Sequence, residues 1–92
     1  MKHLDWDEKK NQELKGQRDI SFEEVVLAIS EGAILDIMEH PNPKSHPNQK
    51  LFVVNIENYA YLVPFVEDME KVFLKTIIPS RKATKKYIIN RK

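Results

Sequence analysis

A cluster of cations near the C-terminal end has the residue types and spacing that a phosphate site needs. It consists of Arg81, Lys82, Lys85 and Lys86. Because helix residues four positions apart share a face, the cluster predicts two adjoining rows of positive charge on a helix. Arginine binds phosphate through two parallel hydrogen bonds, and free N–H groups at a helix start add to that attraction. The cluster therefore predicts binding of phosphate groups, such as those of an RNA backbone.

The charge of the whole chain is divided unevenly along its length. Residues 1–70 hold all 14 acidic residues and seven basic ones, a balance of −7. Residues 71–92 hold eight basic residues and no acid, although the formal net charge is only +1. This asymmetry excludes a uniformly basic, histone-like protein and predicts an anionic partner. That partner could be a nucleic acid, an acidic protein segment or a membrane surface, and a merely solvated basic face gives the same pattern.

Two side chains are candidates for proton transfer beside such a site. Tyr87 directly follows the cationic cluster, and His46 lies in the proline-rich loop of residues 40–49. Histidine is the usual general acid or base near neutral pH, and a loop could bring His46 to a neighbouring site. His40 precedes Pro41 and fits a structural role better.

Aromatic side chains could stack on nucleic-acid bases. Trp6 and Tyr87 lie in polar segments, so each is a candidate for base stacking as well as for ordinary packing. Phe52 and Phe73 lie in apolar strands, and we expect both of them in the core.

Several classes of site are excluded by composition. The chain has no cysteine, which removes disulfides, thiolate metal sites and a cysteine nucleophile. It has no H-x-x-x-H or H-E-x-x-H spacing, and two glycines cannot build a glycine-rich phosphate loop. We therefore expect a protein that works without a metal or a cofactor.

Length and hydropathy predict one small domain over residues 1–92, with one core. No apolar run reaches the roughly 18 residues of a membrane span, and the first residues are polar, unlike a signal peptide. With the lack of cysteine, these features predict a cytoplasmic protein with no membrane span.

The helices and strands that must position the cationic cluster are predicted to form an α+β fold. It has two N-terminal helices, a four-stranded antiparallel sheet and a C-terminal basic helix. The predicted helices cover residues 5–16, 21–31 and 81–89, and the predicted strands cover residues 33–38, 50–57, 59–66 and 72–78. The short links between strands favour antiparallel pairing.

Local signals support these boundaries. Ser21 and Glu24 have the spacing of a capping box, and Gly32 is a natural stop for the helix that they begin. We expect a bulge near Asp36 and a hairpin turn at residues 57–58. Pro64 favours an edge position or a bulge, because proline has no N–H to donate. Other expected boundary signals are Asp5 or Asp7 as first helix cap and Gly16 as its stop.

Three segments occur in the same order in a known family of small proteins. They are Asp5–Asn11 (DWDEKKN), Ile20–Val25 (ISFEEV) and Ile77–Lys86 (IIPSRKATKK). On these motifs the chain resembles the BrnT toxins of bacterial type II toxin–antitoxin systems, which belong to the RelE-like superfamily. The resemblance spans nearly the whole chain.

The resemblance implies a metal-independent ribonuclease that cleaves RNA, inhibits growth and is neutralised by a cognate antitoxin in a hetero-oligomer. From the acid-free basic end and the motif match together, we hypothesise that Arg81 clamps phosphate, that Lys75 and Lys85 stabilise charge, and that Tyr87 or His46 transfers a proton. The residues expected to contact RNA are Trp6, Lys82 and Lys86.

Two other readings of the basic end stay open. In one, the chain is a catalytically degenerate BrnT-like protein that only binds an antitoxin or a nucleic acid. In the other, the last helix lies on a membrane surface, although Tyr87, Ile88 and Ile89 form only a short apolar strip.

Overall fold

The computed structural model of the protein describes residues 2–40, 42, 44–45 and 48–90. His46, one of the two predicted proton-transfer residues, lies outside them. The strands are β1 (His3–Trp6), β2 (Ile34–Glu39), β3 (Gln49–Ile56), β4 (Tyr59–Glu67), β5 (Lys71–Leu74) and β6 (Ile78–Pro79). The helices are α1 (Glu8–Arg18), α2 (Phe22–Ser30) and α3 (Arg81–Thr84), which continues as a π-helical turn over Lys85–Ile89. We call Arg81–Ile89 the C-terminal helix.

The strands form one mixed sheet in the order β1-β5-β4-β3-β2, and β6 also pairs with β4. Neighbouring strands are antiparallel except β1, which runs parallel to β5. The predicted α+β class is confirmed. The predicted four-stranded antiparallel sheet is only roughly matched, because the described residues form six strands and one pair is parallel.

The first helix begins later than predicted. Residues 3–6 form β1, in which Leu4 and Trp6 point to one face with the period of two that a strand imposes. Asp7 then caps α1 by accepting a hydrogen bond from the Lys9 N–H at 3.0 Å. The predicted stop at Gly16 was wrong, because α1 continues to Arg18.

The two faces of the sheet carry different helices. Alternation along β3 sends Phe52 and Val54 to one face and Val53 to the other. α1 and α2 cover the first face, and the C-terminal helix packs on the second face, where Ala83 meets Ala60. The core under α1 and α2 contains Leu14, Ile20, Phe22, Val25, Ile29, Phe52, Val54, Val63, Phe65, Val72, Leu74 and Ile77.

The turns and caps mostly follow their sequence signals. The capping box of Ser21 and Glu24 is present, and Gly32 follows α2 at a φ of +78°. Residues 57 and 58 turn the β3–β4 hairpin at φ values of 54° and 65°, and the β2 register shifts between Ile34 and Asp36 as a bulge requires.

Pro64 lies in a central strand, so the prediction of an edge position was wrong. The outer side of β4 pairs with β6 at residues 61–62 and with β5 at residues 65–67, and Pro64 falls between these two stretches. Its carbonyl accepts a hydrogen bond from the Lys75 N–H at 2.8 Å. Pro64, which has no N–H to donate, therefore lies where β4 changes from pairing with β6 to pairing with β5. The predicted strand 72–78 is divided into β5 and β6, which pair with these two stretches of β4.

No helix among the described residues is long and apolar enough to cross a membrane.

Asn11 joins the two N-terminal helices inside the core. Its side chain is fully buried; its amide oxygen accepts from the Phe22 N–H at 2.8 Å and its amide nitrogen donates to Glu23 at 2.8 Å. Both ends of the amide are thus satisfied, which fixes the start of α2 against α1.

Replacing Asn11 by Ala should lower the free energy of unfolding by about 1–3 kcal/mol, because the buried Phe22 N–H loses its acceptor. Urea denaturation of the variant and of Gln12→Ala, an exposed neighbour on α1, would measure this. Gln12→Ala should stay within about 0.5 kcal/mol of the original protein. Equal effects of the two substitutions would contradict the role assigned to Asn11.

Candidate functional site

The C-terminal helix is anchored to β4 by two hydroxyl side chains. Thr84, which is only 5% exposed, accepts from the Ala60 N–H at 2.9 Å and donates to the Ser80 carbonyl at 2.7 Å. The Ser80 N–H donates to the Ala60 carbonyl at 3.0 Å, and its hydroxyl caps the helix by accepting from the Ala83 N–H at 3.1 Å. These bonds fix where the helix starts and which way it faces.

Replacing Thr84 by Val should cost about 1–3 kcal/mol of stability, because the Ala60 N–H is left without an acceptor in a buried place. Thr84→Ser keeps the hydroxyl and should recover most of that loss. Chemical denaturation of both variants is the measurement. A Val variant no less stable than the Ser variant would show that the hydroxyl does not hold the helix.

The anchored helix presents the cationic cluster to solvent. Its four members are all exposed, and residues 81–90 contain no acid. Lys82 and Lys86 line a surface cavity of about 230 Å³ together with Tyr87. Arg81 and Lys85 lie one step round the helix. The remaining lining residues are Met38, Leu62, Ser80 and Ala83.

Tyr87 is held at this cavity by an acidic partner on β2. Its hydroxyl donates a hydrogen bond to Asp36 at 2.5 Å. That bond raises the pKa of Tyr87, with burial and the negative charge of Asp36 acting in the same direction. Conversely, the bond from Tyr87 lowers the pKa of Asp36, helped by the Ile37 N–H and by the charge of Lys86. The raised pKa means that the phenol gives up its proton less readily than an ordinary tyrosine, and no phenolate is present at neutral pH to act as a base.

The Tyr87–Asp36 pair should be visible in a titration. Tyr87 should ionise above the ordinary range of tyrosine, and Asp36→Asn should bring that ionisation down because the charged acceptor is lost. Ultraviolet absorbance of phenolate against pH measures it, with Tyr87→Phe identifying the signal among the other tyrosines.

The same pair links stability to pH. The lowered pKa of Asp36 contributes stability that is present above the carboxyl's unfolded pKa and lost as pH falls through its folded pKa. The raised pKa of Tyr87 contributes stability that is present below about pH 10 and lost as pH rises through its folded pKa. An Asp36→Asn variant whose Tyr87 titrates unchanged would contradict both statements.

Phe73 and its lysine neighbours form a second feature on the same face of the sheet. Phe73 is half-buried, so the prediction that it belongs to the core was wrong, whereas Phe52 is buried and stacks on Phe65 at 4.0 Å as a core residue does. The ammonium groups of Lys71 and Lys75 lie over the Phe73 ring, 5.9 Å and 5.7 Å from its centre. Lys75 lies one position beyond β5 and not on a strand.

Trp6 lies on the opposite side of the sheet from the cationic cluster. It packs against the core under α1 and α2, where its ring stacks on Phe22 at 5.8 Å. Its indole N–H donates to Glu8 at 3.2 Å. The structure thus brings Lys82, Lys86 and Tyr87 together, with Arg81 and Lys85 alongside, and it separates Trp6 from them by the thickness of the sheet.

Sequence reasoning missed two residues that shape the site. The sequence analysis predicts only a bulge near Asp36, although an acid within an apolar strand also indicates that its carboxylate is buried or paired. Thr84 is not among the predicted site residues, although Ser80 and Thr84 have the four-residue spacing at which a helical threonine hydroxyl reaches a backbone carbonyl. Within the described ranges, no group of three histidine, aspartate or glutamate side chains is placed to hold a metal ion.

Comparison with known proteins adds no relative: no family model, no curated protein and no solved structure matches the chain.

Proposed function

We propose that the chain is the toxin of a bacterial type II toxin–antitoxin system, a metal-independent ribonuclease similar to the BrnT toxins. The observation that carries the proposal is the C-terminal helix. It is fixed on the sheet, bears four exposed cations without an acid, and borders a cavity that also holds a tyrosine. The motif IIPSRKATKK, on which the resemblance depends most, covers this helix and the strand before it.

The chemistry requires no metal. The 2′-oxygen of RNA attacks the adjacent phosphorus, its proton leaves, the bond to the 5′-oxygen breaks, and that oxygen takes up a proton. Arg81 would clamp the phosphate, and Lys75 and Lys85 would stabilise the charge of the transition state. Tyr87, which is protonated at neutral pH as tyrosine ordinarily is, would protonate the 5′-oxygen once its hydroxyl leaves Asp36. His46 stays the other residue proposed for proton transfer.

The proposed partners are RNA and a cognate antitoxin in the cytoplasm. An acidic antitoxin segment would occupy the same cations as RNA and would thereby block the toxin in a hetero-oligomer. Lys82 and Lys86 line the cavity and would contact either ligand.

A binding module without catalysis is the second candidate. The observation that favours it is the hydrogen bond between Tyr87 and Asp36, which engages the one phenolic proton that the mechanism needs. In that case the cationic cluster would bind an antitoxin or a nucleic acid without cutting it.

Expression in a bacterium that lacks the antitoxin separates these candidates. The original chain should arrest growth and cause RNA decay. Arg81→Ala should cut the rate of RNA cleavage by the 10²- to 10³-fold typical of a lost charge-stabilising donor, and growth should recover. Lys9→Ala, which removes an exposed cation from α1 on the other face, should leave toxicity intact.

Thermal unfolding of the purified variants would show that each one is folded. Unaffected growth on expression of the original chain would favour the binding module. Full toxicity of a folded Arg81→Ala variant would contradict the ribonuclease assignment.

A further inference from the structure

We infer that Phe73 and Lys75 form a stacking platform for an unpaired base of RNA, next to the cationic cluster. The platform rests on the proposed function in taking RNA as the ligand. It extends the proposed site from the cavity at the C-terminal helix to the end of β5, where Lys75 belongs to both the site and the platform, and restricts the substrate to single-stranded RNA.

The surroundings of Phe73 differ from those of a core ring. The buried aromatic Phe52 packs on another ring at 4.0 Å, whereas Phe73 is half-buried and has ammonium groups over its ring. A half-buried ring can accept a base when the lysine side chains over it move aside, because every base has a face that stacks on an aromatic ring. A lysine moved aside by that base is then placed to meet its phosphate.

Lys75 is the cation best placed for that phosphate. It is exposed, and its backbone is fixed by the hydrogen bond from its N–H to the Pro64 carbonyl. Lys71, by contrast, forms an ion pair with Asp5 at 3.8 Å. Because Asp5 offsets the charge of Lys71 and repels phosphate, a phosphate group should bind the platform on the side of Lys75 and the C-terminal helix.

The platform and the cavity lie on one continuous face. Phe73 pairs with Val66 on β4, and Leu62, which lines the cavity, lies four residues earlier on the same strand and therefore on the same face. At about 3.3 Å per residue, the two points are about 13 Å apart along β4. A single strand of a few nucleotides can place a base on Phe73 and a phosphate at Lys82 or Lys86.

The experiment measures binding of a fluorescent, single-stranded 2′-O-methyl oligoribonucleotide by anisotropy at several salt concentrations. The 2′-O-methyl group removes the attacking hydroxyl, so binding is read without cleavage. Phe73→Leu keeps the bulk but removes the ring, and should weaken binding about 5- to 100-fold at every salt concentration. Phe73→Tyr should bind as the original chain does.

Lys75→Gln should behave differently from Phe73→Leu. It removes one phosphate contact, so the slope of log affinity against log salt should fall by about 0.7, while Phe73→Leu should leave that slope unchanged. Asp5→Asn should tighten binding, because an acid is removed. Tyr59→Leu removes a half-buried ring on the opposite face of the sheet and serves as the matched control, with no change expected.

The outcomes distinguish the platform from the proposed function. Binding by a folded Phe73→Leu variant as tight as that of the original chain would overturn the platform and leave the ribonuclease proposal standing. Equal binding of fully paired RNA would overturn it too, because paired bases offer no face for stacking. If the original chain binds no RNA at all, the proposed function itself fails.

Discussion

The hydroxyl of Thr84 joins the C-terminal helix to the centre of the sheet, and the proposed site depends on that connection. Through Ala60 and Ser80 it sets the start of a helix that exposes four cations and no acid. Ala83, one residue before Thr84, is buried against the sheet, so the charged residues on either side of this pair must face outward. The buried contacts of Ala83 and Thr84 thus determine which way the four cations point.

The two faces of the sheet differ in the size of the apolar core that each one carries. α1 and α2 bury the larger apolar core on one face, and Asn11 satisfies the backbone where these helices meet. The other face carries a smaller core under the C-terminal helix and leaves Tyr87, Lys75 and Phe73 accessible to different degrees. A ligand on the second face can therefore bind without disturbing the main core.

Much of this arrangement could be predicted from local signals, and the errors have physical causes. The capping box at Ser21 and the cationic cluster could each be predicted from the spacing of residues along the chain. β1 was missed because it has four residues and is stabilised by pairing with β5, far along the chain, as no local pattern records. Phe73 was assigned to the core because no local pattern reveals the strand register, which decides the face that its ring occupies. The same register places Trp6 against the core under α1 and α2, the packing role that its sequence left open beside base stacking. Asp36 meets Tyr87 across 51 positions of sequence, which spacing cannot reveal.

In the proposed function, RNA binds the face of the sheet that carries the C-terminal helix. Nuclear magnetic resonance of the ¹⁵N-labelled protein, titrated with single-stranded 2′-O-methyl RNA, would show whether it does. Amide signals of residues 71–75 and 80–90 should shift together and saturate at one concentration, while those of α1 and α2 stay in place. Shifts confined to α1 and α2, or no shifts at all, would contradict it.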